Sequence, residues 1–453
     1  MSKKRMPMKK VVRLFAFFIS FCSTSYAQDV RFCENGMSDR ANYFDTDSWF
    51  CQTMSETENV SERQFVVTDF GVVCDSTKVQ TSALQAVIDR AAEHGGTVVV
   101  PEGTFLSGAL FFRPGTHLKI EPGGRLKGSD DIADFPVVDT RIEGRSVRYF
   151  AALVNADRAD GFTISGGGTI DGNGLRYWRA FWLRREVNPD CTNMDEMRPR
   201  LVYISNCRDV RIEGVTLCNS PFWTTHLYRS ERVRIVGCRI LAPAEPVKAP
   251  SSDAVDVDAC TDVHIKSCYL SVNDDAIALK GGKGPDAPAD ASNGANRNVL
   301  IEDCTFGYCH SALTCGSEAI HCDNVVMRRC TVDRADRVLW LKMRPDTPQL
   351  YENITVEDIR GNARTMLFVH PWTQFFDLKG HTEIPMSYAS NVTLRRIDLD
   401  CGAAFDIVRA DDQYILSDFT LERLALRTSD DSMPEGCIRN LRRTECSITE
   451  TER

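Results

Sequence analysis

The sequence predicts an all-β fold, a parallel β-helix closed by a short N-terminal capping helix. A strand-like segment recurs eight times beyond about residue 150, and apolar residues alternate within each copy. A repeat of about 20–50 residues is typical of a solenoid whose coils bury their apolar faces against their neighbours. Since the alternation has a period of two, the repeating unit is a strand and neighbouring coils pair in parallel.

The eight copies align on the first residue of an apolar–any–apolar triplet. Five positions later comes a second apolar residue or a cysteine. The spacing between copies is irregular, which places the differences in length in loops on the flanks of the coils. The first positions are Val210, Val233, Val263, Val299, Val325, Ile354, Val392 and Phe419.

Many of the 18 cysteines fall into this register. We interpret them as an interior ladder of small buried thiols, since a free cysteine packs as a small apolar residue. The chain has no Cys-x-x-Cys pair, so we expect no structural zinc site. One position of the repeat holds Cys238, Cys268, Cys304 and Cys330, and another holds Cys207, Cys260 and Cys322. Outside the register, Cys401, Cys437 and Cys446 are candidates for a disulfide.

The first 27 residues have the pattern of a signal peptide. A basic segment that includes Lys9 and Lys10 precedes a short apolar run at 14–22, and the small-residue site ends at Ala27. We therefore expect export, to the periplasm or the medium, after cleavage near Ala27. Residues 28–63 are polar without a clear period and are interpreted as an N-terminal extension, and residues 64–453 as the β-helix domain.

One convincing helix stands before the repeats, at 81–93. Thr81 or Ser82 is a plausible N-cap, and the residues Leu84, Val87, Ile88 and Ala91 form an apolar stripe. Gly95-Gly96 ends the helix, and short strands between Gly and Pro turns follow it. A single helix ahead of a long all-β stretch is interpreted as a cap on the end of the stack.

The net charge of −9 and the hydrophobic fraction of 43% describe an ordinary soluble protein. Removal of the basic N-terminal segment makes the chain more acidic still, so nucleic acid and anionic membrane surfaces are not expected partners. Beyond the N-terminus no apolar run reaches the roughly 18 residues of a membrane helix. We expect no membrane insertion and a monomer.

Three carboxylates are predicted to meet on neighbouring coils. Asp253 and Asp275 each precede an alternating apolar run and lie 22 residues apart, and Asp274 is next to the second. If 22 residues make one turn, Asp253 and Asp275 lie one above the other. Like charges at that distance raise each other's pKa, and Asp274, with neighbours on both sides, is expected to have the raised pKa that a general acid requires.

The residue types alone leave three interpretations of this cluster. Asp is common where strands bend, so the group could serve turns only. Carboxylate oxygens are also the ligands that calcium prefers. Alternatively, one protonated and one ionised carboxyl group could hydrolyse a glycosidic bond.

Four short motifs surround these carboxylates in a fixed order. They are Ser251-Ser252-Asp253-Ala254, Asp274-Asp275, Cys309-His310-Ser311 and Trp340-Leu341-Lys342. In order and spacing they resemble the Asn-Thr-Asp-Gly, Asp-Asp, Gly-His-Gly and Arg-Ile-Lys motifs of glycoside hydrolase family 28, the polygalacturonase and rhamnogalacturonan hydrolase family. The resemblance covers roughly residues 64–430.

The resemblance implies a right-handed parallel β-helix and hydrolysis with inversion, without a metal or another cofactor. Asp274 would be the general acid, and Asp253 and Asp275 would activate the attacking water. His310 would bind the acid or a sugar hydroxyl. Lys342 would bind a uronate carboxylate in the reacting subsite.

The motifs also depart from the family pattern. Trp340 replaces an arginine and cannot make its bidentate carboxylate contacts, although it could stack on a sugar. Arg344 is a candidate substitute cation, and His226 and Trp372 are further candidates for substrate binding. The Gly/Pro/Asp-rich loop 281–296 follows the catalytic coil and is predicted to wall off one end of the groove.

The resemblance implies a pectic polysaccharide or oligosaccharide as the substrate. The expected activity is exo-acting and galacturonidase- or polygalacturonase-like, or of the rhamnogalacturonan type. Two alternatives stay open. One is a calcium-dependent β-helix pectate or rhamnogalacturonan lyase that uses the three aspartates as ligands, and the other is a non-catalytic glycan-binding β-helix.

Overall fold

The computed structural model describes residues 63–450. The predicted signal peptide, 1–27, and all but the last residue of the predicted extension, 28–63, lie outside the described residues. Within the described range, 30 strands join into one sheet whose pairings are parallel throughout. Strands at equivalent positions of consecutive coils pair with each other, so the predicted parallel β-helix is confirmed.

The coils are built from short strands at the N-terminal end and from long, bent strands at the C-terminal end. The first strands are β1 Gln64–Val66, β2 Asp75–Val79, β3 Gly96–Val100, β4 Gly103–Ser107, β5 Leu110–Phe112, β6 Thr116–Ile120 and β7 Gly124–Gly128. The next are β10 Val154–Asp157, β11 Thr163–Ser165, β12 Thr169–Asp171, β13 Val202–Ser205, β14 Arg208–Glu213, β15 Thr216–Cys218, β16 Thr225–Tyr228, β17 Glu231–Val236 and β18 Arg239–Leu241.

The strands around the carboxylates are β19 Val255–Asp258, β20 Thr261–Lys266, β21 Tyr269–Ser271, β22 Asp275–Lys280, β23 Asn296–Glu302, β24 Thr305–Cys309 and β25 Ser311–Cys315. The long strands are β26 His321–Met343, β27 Leu350–Pro371, β28 Ser387–Ile407 and β29 Tyr414–Thr428, followed by β30 Ile438–Arg439, β31 Arg442–Thr444 and β32 Ser447–Glu450. Strand β26 pairs with β23, β24 and β25 in turn, so it makes a whole coil without a break.

Two α-helices lie in the described part of the chain. Helix α1, Thr81–Ala92, buries Leu84, Val87, Ile88 and Ala91, as its apolar stripe predicts. Helix α2, Leu175–Val187, was not predicted, since it buries Tyr177, Trp178 and Phe181 but leaves Leu183 and Val187 exposed and so shows no clear helical period. Neither helix is long and apolar enough to cross a membrane. Short 3₁₀ turns span Val67–Phe70, Ile132–Asp134, Asn193–Asp195 and Ala287–Ala289.

The predicted cysteine ladder is confirmed inside the coils. Its four thiols are at most 2% exposed, and each donates to the backbone carbonyl of the residue two positions before it. All cysteines of the described range are free, including the disulfide candidates Cys401, Cys437 and Cys446. The ladder therefore fills the narrow interior as an apolar column.

A turn ladder runs beside this core. The residue that precedes the first position of every repeat has a positive φ of 52–60°. Aspartate and asparagine tolerate this left-handed conformation better than other non-glycine residues. Asn324 donates to Asn298 at 2.9 Å and Asn391 to Asn353 at 2.7 Å, so the side chains also link successive coils. The set is Asp209, Arg232, Asp262, Asn298, Asn324, Asn353, Asn391 and Asp418.

We predict that Gly361→Ala destabilises the fold by about 2–3 kcal/mol, because a left-handed backbone costs a residue with a Cβ about 1–3 kcal/mol. Gly361 has φ +127° on β27, and its Cβ would also overlap the carbonyl oxygen of Val332 in the preceding coil. Chemical denaturation measures the loss. Gly214→Ala, with φ +67° and no heavy atom within 4 Å of the added Cβ, is the matched control for backbone strain alone. Equal losses in the two variants would contradict the overlap.

One antiparallel hairpin leaves the coils and covers them. Its strands are β8, Val137–Ile142, and β9, Arg145–Phe150. Arg141 of the hairpin binds Asp258 of β19 at 3.0 Å, with both side chains at most 1% exposed. Beside this pair, Arg200 lies 2.7 Å from His226 Nδ1 and donates to the carbonyl of Arg141. This buried network fixes the hairpin over the carboxylates.

Candidate active site

The register of the coils brings the three predicted carboxylates together. Strand β22 pairs with β19 so that Val255 faces Ile277, and Asp253 and Asp275 therefore occupy equivalent positions of adjacent coils. The amide of Ala254 donates to the carbonyl of Asp275 at 3.0 Å. Oxygen atoms of Asp253, Asp274 and Asp275 lie within 4.8 Å of one another.

The next two coils add the predicted histidine and lysine. His310 precedes β25, its amide donates to the carbonyl of Asp274 at 2.9 Å, and its Nδ1 lies 3.3 Å from Asp274 Oδ1. Lys342 projects from β26, and its Nζ lies 2.6 Å from Asp275 Oδ2. The four motifs therefore converge because each occupies the same face of a successive coil.

These groups line a pocket of about 280 Å³. The β-helix itself supplies the carboxylates, His310 and Lys342. Segments outside the coils supply the walls, and they contribute Glu143 from the β8–β9 turn, Phe181, Trp182 and Arg185 from α2, and Trp372, Gln374 and Phe375 from the loop after β27.

Trp340 and Trp372 form an aromatic wall against Lys342. Their ring centroids lie 5.3 Å apart at an interplanar angle of 79°. Lys342 Nζ lies 4.1 Å from the centroid of Trp340 and 4.7 Å from that of Trp372, within the range of a cation–π contact. Trp340, in the place of the family arginine, thus lies next to the lysine and is only 5% exposed.

Two predicted substrate-binding residues do not reach the pocket. His226 is fully buried under the hairpin, between Arg200 and Asp258. Arg344 is also fully buried, makes two 2.7 Å contacts to Asp346, and donates to the carbonyl of Gln374. Arg344 therefore holds the loop that carries Trp372 instead of contacting substrate.

The loop 281–296 also differs from its predicted role. It does not line the pocket and instead supports the hairpin, because Asn293 accepts a hydrogen bond from Arg141 at 2.7 Å. The pocket end is walled by the hairpin and α2, whose position the sequence did not indicate.

The raised pKa in the cluster belongs to Asp253 and not to Asp274. Burial and the neighbouring carboxylate of Asp274 raise the pKa of Asp253. Burial acts in the same direction on Asp274, but the hydrogen bond and charge of His310, with the charge of Lys342, outweigh it and hold that pKa at about 2. The raised pKa expected for Asp274 followed from its acidic neighbours alone and is wrong, because His310 and Lys342 act more strongly in the opposite direction. Because the carboxyls interact strongly, the proton that they hold belongs to the group.

The surroundings of the three carboxylates fit a site whose negative charge is balanced by cationic side chains better than they fit a calcium site. Calcium takes six to eight oxygen ligands, roughly. Here each carboxylate already has a cationic neighbour: Lys342 at Asp275, His310 at Asp274, and Lys280 Nζ at 3.6 Å from Asp253. These side chains balance the acidic charge of the cluster.

Sequence reasoning missed several of the pocket residues. Lys280 closes the apolar run of β22 and is 5% exposed, and Glu318 lies 3.3 Å from it. The signal for Lys280 was available, since a lysine at the end of a buried strand needs an acidic partner. The sequence of α2 gives no comparable indication that its residues line the pocket.

The wild-type protein is expected to lose stability as the pH rises above 6.5. We predict that His310→Asn abolishes this pH-dependent loss. Burial acts to lower the pKa of His310, but the hydrogen bond and charge of Asp274 outweigh it and raise that pKa above 6.5. The ion pair therefore stabilises the fold fully below pH 6.5, and this contribution is lost as pH rises through the folded-state pKa. Chemical denaturation across this range should show a steeper decline for the wild type than for the variant.

The matched control for this prediction is His381→Asn. His381 pairs with Asp286 on the surface, where the two side chains are 49% and 59% exposed. This control should keep the pH dependence of the wild type. An unchanged pH dependence in His310→Asn would contradict the proposed contribution of the His310–Asp274 pair.

Comparison with known proteins agrees with the fold and with the family resemblance. The model of glycosyl hydrolases family 28 matches residues 97–364. A Vitis vinifera protein named "Probable polygalacturonase" is 30% identical over 224 residues, which are 47% of this chain and 43% of that protein. The match therefore spans less than half the length of that relative.

Solved structures share the β-helix. The polygalacturonase from Erwinia carotovora ssp. carotovora superimposes with a TM-score of 0.67 at 19% identity, covering 88% of this chain and 99% of that one. The hyperthermoactive exopolygalacturonase from Thermotoga maritima gives a TM-score of 0.62 at 19% identity, with coverages of 85% and 92%. At this identity the likeness establishes the fold alone.

Proposed function

Because this chain belongs to glycosyl hydrolase family 28, we propose that it hydrolyses glycosidic bonds of galacturonic acid-containing pectic chains. One observation carries the proposal: three carboxylates with oxygens within 4.8 Å of one another line a pocket together with His310 and Lys342. The carboxylates can move protons to and from a glycosidic oxygen and a water. Lys342 supplies a cation for a uronate group.

The exposed fractions of the side chains distinguish the roles of the three carboxylates. Asp274 is 28% exposed and His310 30%, whereas Asp253 is 5% and Asp275 1% exposed. Asp274 is therefore the group that a leaving oxygen can reach, and it acts as the general acid with the proton that the cluster holds. Asp253 and Asp275 lie deeper and bind the attacking water. Among the described residues no donor makes a hydrogen bond to Asp275 Oδ1, which is buried at the base of the cluster.

The short distances within the cluster bear on the stereochemistry. Inverting glycosidases usually separate acid and base by about 6.5–9.5 Å so that water fits across the sugar from the acid. Here the water would lie on the flank of Asp274, between Asp253 and Asp275. The oxygens of this cluster, within 4.8 Å of one another, lie closer than that range, so we propose inversion from membership of the family and not from the spacing. Proton NMR of the first product anomer tests it, since retention would make one of the deeper carboxylates a nucleophile.

The walls of the pocket support attack from a chain end. The hairpin turn touches the segments after β22 and β25, since a Cβ on Gly144 would lie 2.9 Å from the carbonyl carbon of Gly282 and 2.8 Å from Glu318 Cβ. Helix α2 and the loop that carries Phe375 line further sides of the pocket. A pocket walled on these sides accepts the last sugars of a chain more readily than its middle.

The test is incubation of the purified protein with polygalacturonan, rhamnogalacturonan I and pectic oligosaccharides. The expected result is new reducing ends, short products from the earliest times, and no effect of a chelator. A product that absorbs in the ultraviolet, or loss of activity with a chelator, would support the lyase alternative. Binding without turnover would support the glycan-binding alternative.

We also propose that the protein is exported, with cleavage near Ala27, and acts as a monomer. The basic and apolar segments of residues 1–27 support the first statement. N-terminal sequencing of the mature protein tests the cleavage site. Size-exclusion chromatography with light scattering tests the oligomeric state.

A further inference from the structure

Next to the three carboxylates lies a second group of charged side chains that the mechanism above does not use. Its members are Lys280 at the end of β22, Asp256 on β19, and Glu318 after β25. The side chains of Lys280 and Asp256 are 5% and 0% exposed, so water hydrates neither of them well. Charged groups are buried this deeply only when other groups compensate them.

Lys280 is shared among three carboxylates. Its Nζ lies 3.6 Å from Asp253, 3.6 Å from Asp256 and 3.3 Å from Glu318, and 4.9 Å from the ring centroid of Trp223. No donor among the described residues makes a hydrogen bond to either carboxylate oxygen of Asp256. One ammonium group therefore divides its charge between Glu318 and the proposed base, Asp253.

Of the three carboxylates around Lys280, Glu318 has the most clearly defined hydrogen bonding. Its second oxygen accepts a 2.6 Å hydrogen bond from the Ser317 hydroxyl, so the carboxylate is fixed on the far side of Lys280. Several charged groups face this cluster from the neighbouring elements. They are Asp274 and Asp275 at β22, Lys342 on β26, Lys283 and Arg344 near Glu318, and Arg200 near Asp256.

We propose that Lys280 and Glu318 are positioning residues that orient Asp253 and set its charge, with Glu318 withholding part of the lysine charge from it. This proposal rests on the hydrolase function. It assigns to Lys280 and Glu318 the control of the charge on the proposed base, Asp253. Neither residue needs to touch the reacting atoms. The pair works through the single ammonium group that it shares with Asp253 and Asp256.

The two residues should act in opposite directions. Burial and Asp274 raise the pKa of Asp253, and Lys280 opposes them. Burial likewise raises the pKa of Asp256 to about 7 against the same lysine. Loss of Glu318 gives Asp253 a larger share of the positive charge and lowers its pKa. Loss of Lys280 raises it.

The experiment compares Glu318→Gln and Lys280→Met in the full chain by the pH dependence of kcat/KM, whose acidic limb reports the base of the free enzyme. An opposite charge within about 4–6 Å shifts a carboxyl pKa by about one unit or more. We expect the limb to move by about one unit to lower pH in Glu318→Gln and to higher pH in Lys280→Met. The control is Lys266→Met, which removes a lysine paired with Glu302 on another face of the coils and should not move the limb.

Infrared titration of the protonated carboxyl band provides a second measurement that needs no turnover. It should show the same opposite shifts in the two variants. If the wild type hydrolyses no pectic substrate, the proposed function fails and the infrared shifts alone decide the present proposal. Glu318→Gln replaces a group by one of equal size, so it remains informative if Lys280→Met does not fold. Shifts in the same direction, or a folded Glu318→Gln with no shift by either measurement, would overturn the proposal.

Discussion

Asp274→Asn is expected to lower kcat on a pectic substrate by about 10²–10⁴-fold, the usual contribution of a general acid. The amide cannot donate a proton to the leaving oxygen, and the exposed position of Asp274 beside His310 has no other carboxyl to replace it. The free energy of unfolding should fall below pH 6.5, because the neutral amide keeps the shape of the side chain but removes its ion pair with His310. Initial rates at saturating substrate and a denaturation curve measure the two quantities.

Asp139→Asn is the matched control for this substitution. Asp139 lies on the hairpin with 96% of its side chain exposed and has no part in the pocket. Its replacement should leave kcat at the wild-type value. Wild-type turnover by Asp274→Asn would remove Asp274 from the chemistry and leave the acid to one of the deeper carboxylates.

The fold and the main site residues could be predicted because the repeat converts sequence spacing into spatial position. Once 22 residues are assigned to one coil, the positions of Asp253 and Asp275 follow, and the structure has them in register. The alignment of the repeats, whose spacing varies, places His310 and Lys342 on the next coils. The turn ladder could also have been found, since Asn or Asp precedes most first positions of the repeat.

The surroundings of the site could not be predicted, because they depend on segments that do not repeat. Arg344 is buried against Asp346, whereas Trp372, on the loop that Arg344 holds, lines the pocket. His226 was a candidate for substrate binding, but the hairpin, which does not repeat, covers it. The pKa of Asp274 depends on His310 and Lys342, which belong to later coils.

The hairpin that shapes the pocket depends on one buried ion pair, and we predict that Arg141→Met destabilises the protein by about 3–5 kcal/mol. This is the usual cost when one partner of a buried pair is removed and the other charge is left unpaired. Asp258 keeps a lowered pKa because Arg141 and His226 outweigh the effect of its burial. Without Arg141, that carboxylate would remain buried beside a neutral side chain.

The pH dependence of this loss identifies its cause. A carboxyl whose folded-state pKa is lowered stabilises the fold above its unfolded value, near 3.8, and this stabilisation is lost as pH falls through the folded-state pKa. The difference between the wild type and Arg141→Met should therefore shrink as the pH falls below about 4. Chemical denaturation at neutral and acidic pH measures both values.

Arg148→Met is the control, because it removes a surface arginine of the same hairpin that lies 3.9 Å from Asp139. Exposed pairs of this kind contribute little to stability, so no measurable change is expected. If both arginines behaved alike, the hairpin would be held by its apolar contacts with Phe222 and Trp223 and not by the buried charge.

If only Arg141→Met lost stability, and mainly above the pKa of Asp258, the ion pair holds the pocket wall in place. Product length from that variant should then move from short oligosaccharides toward longer fragments as the closed end opens.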